Sequence, residues 1–230
     1  MNREIIPQSE ADKPYNRLFP NFNEIYNPHN TPNVICRPTF CSRSFKPNNT
    51  SVFKNIFNRL YEELPWQPVN KINTCWLTAD KCNCTYKHSG RLFPAVPFTP
   101  LIALLGEQIA NTIGHPQGFS SCNANLYYNG DNALGMHSDN EPIFGEVSQP
   151  KLIVSFSLGA ARDFNIFVKK ENLNFKIKIL NGEIVTMEGL FQQECTHGVP
   201  ADPTVVEPRI NLTYRNVVNH RHGCPCLIRS

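Results

Sequence analysis

"PRINLTYRNV", residues 208–217, is the stretch on which the fold turns. In an extended chain successive side chains point to opposite faces. Arg209, Asn211, Thr213 and Arg215 therefore share one face, while Ile210, Leu212, Tyr214 and Val217 mostly take the other. The apolar set has to pack against something, and the polar set holds two arginines. Two arrangements meet these demands. A half-exposed edge strand would turn its charged row to solvent. A polar barrel interior would instead let both arginines grip a dicarboxylate through bidentate, charge-assisted hydrogen bonds. The segment by itself leaves both open.

Working outward, the strand closes a series of short apolar runs separated by turns: "CNANLYY", "KLIVSFSLG", "FNIFVKK", "NFKIKIL" and "GEIVTMEG". Such spacing points to a sandwich or jelly roll rather than a parallel sheet with crossover helices. Two helices precede it. In "TSVFKNIFNRLYEELPW" Phe53, Ile56, Phe57, Leu60, Tyr61 and Leu64 recur at helical spacing, Thr50 or Ser51 is placed to cap the start, and Pro65 stops it. In "TPLIALLGEQIANTIG" Thr99 suits the N-cap, Pro100 the first turn and Gly114 the left-handed C-terminal cap. Residues 1–48 are rich in Pro and Asn without a sustained apolar period and read as an irregular or extended arm. The expected organisation is this arm, one α+β domain over 49–218 with helices before an antiparallel β core, and a tail over 219–230.

The 230 residues suffice for one full core, and 40% apolar with 18% charged residues is ordinary for a globular chain. A formal charge of +3 is compatible with nucleic acid without requiring it. No apolar run is long enough to span a bilayer, and the polar N-terminus does not read as a secretory signal. The expectation is an intracellular monomer, in nucleus or cytoplasm, whose nine cysteines are reduced thiols or metal ligands rather than a disulfide framework.

"GMHSDNEPIFG", residues 135–145, sets His137, Asp139 and Glu141 at alternate positions, a weak signal alone. A further histidine, His197 in "THGVP", follows another β run. Two histidines and a carboxylate form the facial triad that holds non-haem Fe(II) with positions left open. Zinc would accept the same donors but gives the arginine row no role.

With "CNANLYYNGDNALGMHSDNEP", "SFSLGAARDF", "EIVTMEG", "THGVP" and "PRINLTYR" in this order from about 122 to 217, the chain resembles the AlkB-like Fe(II)- and 2-oxoglutarate-dependent dioxygenases, on the nucleic-acid demethylase branch. A weaker match reaches upstream to "KINTCWLTADKCNCTYKHSG". The resemblance implies a double-stranded β-helix (jelly roll) core with N-terminal flanking helices. It implies His137, Asp139 and His197 as iron ligands and Arg209 as partner of the distal carboxylate of 2-oxoglutarate. Asn125, Tyr127, Asn211 and Arg215 follow as further co-substrate contacts. It also implies consumption of O2 and 2-oxoglutarate to give succinate and CO2, with an N-methyl carbon hydroxylated and lost as formaldehyde.

A base reaches such a site only unpaired or flipped from the stack. The resemblance places Trp76 and Tyr86 on a lid over the base, Glu141 at the base edge, and Arg162 of "GAARDF" beside them, in each case against a plainer reading as core packing, loop acid or structural ion pair. Cys84 stands where the family commonly has the first tyrosine of a Tyr-x-Tyr pair. Methylated DNA or RNA is the implied partner, with N1-methyladenine and N3-methylcytosine as implied lesions. Oxidation of a protein side chain or small molecule, or a binding module with a vestigial metal site, are the rivals. Lys81, Lys87, Arg91, Lys169 and Lys170 are candidate phosphate contacts or simply a solvated basic surface. In the tail, His220, His222, Cys224 and Cys226 are zinc-capable, with Cys36 and Cys41 able to join if the arm folds back. Their alternate spacing is not that of a zinc finger, so a packed or disordered tail is expected, and Cys82-x-Cys84 is a weaker pair still.

Overall fold

The computed structural model describes residues 21–27, 32–79, 81–88 and 90–229. A short helix α1 (Phe22–Ile25) leads to strands β1 (Asn33–Cys36) and β2 (Phe40–Phe45), then helix α2 (Phe53–Glu63). Strands β3 (Gln67–Val69), β4 (Ile72–Thr78), β5 (Tyr86–His88), β6 (Arg91–Phe93) and β7 (Val96–Pro97) precede helix α3 (Pro100–Ile113). The β core follows as β8 (Ser121–Tyr127), β9 (Leu134–His137), β10 (Ile153–Gly159), β11 (Arg162–Val168), β12 (Leu173–Ile179) and β13 (Ile184–Gly189). One helical turn, α4 (Phe191–Glu194), then leads into β14 (Cys195–Val199) and β15 (Arg209–Arg215).

The strands form a large sheet in the order β1-β2-β13-β10-β15-β8-β4-β3, with β7 alongside β4, and a smaller sheet β12-β11-β14-β9. Apart from the parallel β4–β7 pair, every pairing in the two sheets is antiparallel. This is an α+β jelly roll with the helices before the core. β15 lies between β10 and β8 at the middle of the large sheet, so the edge-strand reading of "PRINLTYR" is excluded.

Both faces of β15 are buried, each for its own reason. Ile210, Leu212 and Tyr214 face the helical layer, where Phe53, Ile56 and Leu60 of α2 and Leu101, Ile102, Leu105 and Ile109 of α3 pack over the sheet. Each large apolar side chain taken fully out of water there contributes about 1.5–3 kcal/mol before entropy is counted. Tyr214 seats its ring against Gly106 of α3 and donates its hydroxyl to the Ile102 carbonyl at 2.8 Å. Arg209, Asn211, Thr213 and Arg215 face the other way, into the space between the two sheets.

Three local expectations are corrected. The arm expected over 1–48 supplies β1 and β2, and β2 pairs with β13 at the margin of the large sheet. Its residues 1–20 and 28–31 lie outside the described residues. α2 is not capped by Thr50 or Ser51: its N-cap is Val52 with no side-chain bond, because the Ser51 hydroxyl turns to Asn49. Cys36 and Cys41 do not join the tail but form a disulfide with each other across the β1–β2 turn. α3 is capped as expected, Thr99 accepting from the Ile102 amide at 3.2 Å and Gly114 standing at φ 73°. Among the described residues no helix is long and apolar enough to cross a membrane.

Candidate metal centre and co-substrate cavity

His137 ends β9 and stands directly opposite His197 on β14, so strand register alone brings the two rings to a centroid distance of 4.4 Å. Asp139 lies two residues beyond His137 in the turn that follows. Its amide donates to Gln192 Oε1 at 2.8 Å, which fixes the turn to α4. Asp139 Oδ2 accepts from Arg215 Nη1 at 2.9 Å, leaving Oδ1 3.3 Å from His137 Nε2 and 3.8 Å from His197 Nε2. His137 Nδ1 lies 2.8 Å from the Gly135 carbonyl, a contact only a protonated Nδ1 can make, so the neutral ring carries its lone pair on Nε2. One atom from each residue lies within 4.8 Å of the others. Two nitrogens and one monodentate oxygen on one side of an open cavity fit a six-coordinate divalent ion of the Fe(II) type.

The electrostatics put Asp139 and His197 in the forms a metal ion takes, while against the effect of burial Asp139 raises His137. Burial would raise the Asp139 carboxyl, but Arg215 and the two histidines outweigh it and hold it well below the usual carboxylate range. Burial drives His197 down to about 3, with Asp139 opposing and His137 and Arg215 adding to it. His197 is thus a neutral imidazole and Asp139 an anion, the forms a metal ion requires.

The cavity beside these donors encloses about 530 Å³ of atom-free space including its mouth, and Asn125, Tyr127, Arg209, Asn211 and Arg215 all line it. Arg209 is 1% exposed. Its Nε donates to Ser157 and its Nη2 to Asn211 Oδ1, both at 2.7 Å, and it lies over the Tyr127 ring. Nη1 has no partner, and among the described residues no carboxylate pairs with this cation. A buried guanidinium without an anion is costly, which makes the site complementary to a carboxylate entering the cavity. Arg215 is engaged differently: besides Asp139 it donates to the Tyr86 hydroxyl at 3.2 Å and lies over the Phe144 ring. Its contacts are at the metal end of the row, with a protein carboxylate.

Of the expected lid residues, only Tyr86 reaches the cavity. It donates to Glu141 Oε1 at 2.7 Å, so Glu141 is engaged with the wall. Trp76 is fully buried behind Tyr86, stacked on it at 4.8 Å, with Nε1 on the Cys84 carbonyl, and is a packing residue. Arg162 does not line the cavity, and its guanidinium donates to the carbonyls of Asn129, Gly130, Asn132 and Pro200, tying two loops together. Lys169 donates to the Gln193 carbonyl, and Arg91 to that of Pro68. Lys81, Lys87 and Lys170 stand exposed. Gln192 in α4, Ser157 in β10 and Asn123 in β8 were not foreseen, because a single polar residue in an element carries no spacing signal. The tail is packed, one of the two states expected for it, but its partners were not foreseen: His220 and Cys224 lie against Cys82 and Cys84.

Residues 28–215 match the family model described as the 2OG-Fe(II) oxygenase superfamily. The chain is 32% identical over 185 residues to "Alpha-ketoglutarate-dependent dioxygenase alkB homolog 3" of Bos taurus, and 31% over 186 residues to that of Homo sapiens. Each alignment takes in 74% of this chain and 63% of the relative. "DNA oxidative demethylase ALKBH2" of Mus musculus is 27% identical over 143 residues, 58% of this chain and 57% of the relative. A match through both histidine strands and the whole arginine row accounts for the centre just described: the chain belongs to the 2OG-Fe(II) oxygenase superfamily and, within it, to the AlkB-like dioxygenases.

Proposed function

We propose that the chain oxidatively demethylates N-alkylated bases in DNA or RNA with Fe(II), O2 and 2-oxoglutarate. The observation that carries this reading is Arg209, a buried cation with an unpartnered Nη1 in the same cavity as His137, Asp139 and His197. When bound, iron and 2-oxoglutarate supply the O2-dependent oxidation. The chain's own residues do the positioning. His137, Asp139 and His197 hold the ion, and Arg215 keeps Asp139 ionised and monodentate. Arg209, with Tyr127 and Asn125 beside it, holds the distal carboxylate of the co-substrate and sets its keto acid toward the ion.

The substrate assignment rests on relatives and access. One relative is named a DNA oxidative demethylase. His137 lines the cavity and keeps 31% of its side chain exposed, so an unpaired base can reach it from solvent. Tyr86 reaches the cavity wall with its ring stacked on Trp76 and under the Arg215 guanidinium, so it shapes the base-facing wall by packing. A nucleic-acid substrate goes with a nuclear or cytoplasmic location.

The test is mass spectrometry of oligonucleotides carrying N1-methyladenine or N3-methylcytosine, as DNA and as RNA, with Fe(II), ascorbate and 2-oxoglutarate. The expected result is loss of one methyl group with stoichiometric succinate, abolished by His137→Ala. Succinate formation with every base intact moves the activity to a protein side chain or small molecule. No 2-oxoglutarate turnover with any substrate leaves a nucleic-acid-binding module and refutes the enzyme reading.

A further inference from the structure

A second group of metal-ligating side chains lies outside the iron site. Cys82 and Cys84 sit in the loop between β4 and β5, and His220 and Cys224 in the tail after β15. The tail closes back so that three sulfurs converge on one ring nitrogen. His220 Nδ1 lies 3.6 Å from Cys82 Sγ, 3.7 Å from Cys84 Sγ and 3.4 Å from Cys224 Sγ. Cys224 Sγ lies 3.9 Å from Cys82 Sγ. All three cysteines are buried.

Hydrogen bonding does not account for this convergence. An imidazole nitrogen has one proton or one lone pair, so at most one of the three thiols can be properly paired with it. A disulfide would join two sulfurs and leave the third facing the nitrogen without reason. A central ion accounts for all the contacts at once. With Zn–S near 2.3 Å and Zn–N near 2.05 Å, a tetrahedron has S···N edges of about 3.6 Å and S···S edges of about 3.8 Å. The three S···N separations of 3.6, 3.7 and 3.4 Å and the one S···S separation of 3.9 Å match four of the six edges to within about 0.2 Å. The Arg221 amide also donates to Cys84 Sγ at 3.3 Å, the bond by which a backbone stabilises a thiolate.

We propose that Cys82, Cys84, Cys224 and His220 Nδ1 form a structural zinc site that staples the C-terminal tail to the β4–β5 loop. Three thiolates and an imidazole in tetrahedral array select zinc over the oxygen-seeking and six-coordinate ions. Cys226 Sγ also lies within 4.8 Å of the Cys82, His220 and Cys224 donors, and the fourth position is assigned to Cys84 because its Sγ lies 3.7 Å from His220 Nδ1. The staple closes a loop of more than a hundred residues and fixes the Cys84 carbonyl on which Trp76 rests, and Trp76 in turn backs Tyr86. Only this last consequence rests on the proposed function. The zinc site stands without it.

The experiment is metal analysis of the purified full chain after exhaustive dialysis, in the wild type and in a His137→Ala/Asp139→Ala background where the iron site cannot contribute. About one zinc per chain is expected in both, since structural sites of this type bind tightly at neutral pH. Cys82→Ser and Cys224→Ser should lose it, while Cys75→Ser, Cys195→Ser and Cys226→Ser should keep it. His220→Cys preserves four donors and should keep the metal even if the serine variants fail to fold. Replacement by Co(II) should give the intense visible bands of a tetrahedral thiolate site. Absence of zinc from the wild type, zinc that disappears with the iron-site substitutions, or an intact mass short by four hydrogens with no metal, which is one disulfide beyond Cys36–Cys41, overturns the proposal. Loss of zinc from Cys226→Ser with retention in Cys84→Ser overturns the assignment of the fourth donor.

Discussion

Arg209→Met separates a binding arginine from a structural one. The wild-type side chain keeps Nε and Nη2 on Ser157 and Asn211 and leaves Nη1 unpartnered, with burial and the neighbouring Arg162 pushing its guanidinium down. Met removes an unpaired buried cation but takes a donor from each of two polar groups. These effects oppose each other, and the ligand-free stability should move by less than about 2 kcal/mol. Binding has no such compensation. Losing two charge-assisted hydrogen bonds to the co-substrate, at about 1.5 kcal/mol each, weakens it roughly 150-fold. The assay is thermal unfolding with Mn(II) in place of Fe(II), which allows binding without turnover. At 2-oxoglutarate a hundredfold above its wild-type Kd, binding stabilises the native state by about 2.7 kcal/mol. In a chain of this size that is a rise in Tm of about 5–10 °C. At the same concentration the variant should gain only about 0.3 kcal/mol and shift by about 1 °C or less. A wild-type-sized rise in Arg209→Met refutes the carboxylate role. So does a variant that unfolds without ligand far below the wild type, because the cation would then be structural.

Two further outcomes test the metal end. His197 is held near pKa 3 by burial, against about 6.5 when unfolded, so the unfolded chain takes up the proton first and the metal-free protein loses stability as pH falls below about 6.5, by up to about 1.4 kcal/mol per unit. Asp139, with its folded pKa depressed, adds a loss of the same sign as pH drops below about 4, while His137, raised, acts in the opposite sense nearer neutrality. Urea unfolding of metal-free protein from pH 7 to 5 should therefore show a shallower decline in His197→Gln than in the wild type, and equal slopes would sink the argument. Gly198→Ala places a Cβ 2.8 Å from the Leu134 carbonyl and 3.0 Å from the Gly135 backbone, where β14 approaches β9. Forcing those strands apart should cost about 1–3 kcal/mol and separate the two histidine rings. Mn(II) affinity, read by paramagnetic relaxation of water, should fall at least tenfold, and wild-type affinity would show that the close approach does not set the site.

What could be read from the sequence was whatever repeats at a fixed period or spacing. The two-residue alternation of "PRINLTYR" and the 3.6-residue period of α2 gave strand and helix, because burial selects residues at those intervals, and α3 was marked by its caps Thr99 and Gly114. His137 and Asp139 were legible because they lie two apart. Arg162 was misread because its type fits a substrate site, whereas its partners are four backbone carbonyls that no side-chain pattern reveals. Trp76 was misread for a similar reason: sequence shows an aromatic residue but not which face of the sheet it packs on. The Cys82–His220 contact joins segments 138 residues apart, so spacing within the tail had only half the donors to judge by.

The two burials of β15 explain why its pattern could decide so much. The strand rises about 3.3 Å per residue, so Arg209 and Arg215 stand about 20 Å apart along one face, with Asn211 and Thr213 between them. Arg209 keeps an unpartnered Nη1 beside the cavity and Arg215 donates to the Asp139 carboxylate. That division depends on register. Slipping β15 by one residue would drive both guanidinium groups into the helical layer and turn Ile210, Leu212 and Tyr214 into a polar cavity. The hydroxyl of Tyr214 on the Ile102 carbonyl and the ring against Gly106 resist that slip from the helix side. The pairing of Arg215 with Asp139 resists it from the cavity side. The packing that holds the helices on the sheet and the geometry that presents the donors are therefore set by the same seven residues, so a substitution on the apolar face, such as Leu212→Ala, acts on the site through the register of the strand.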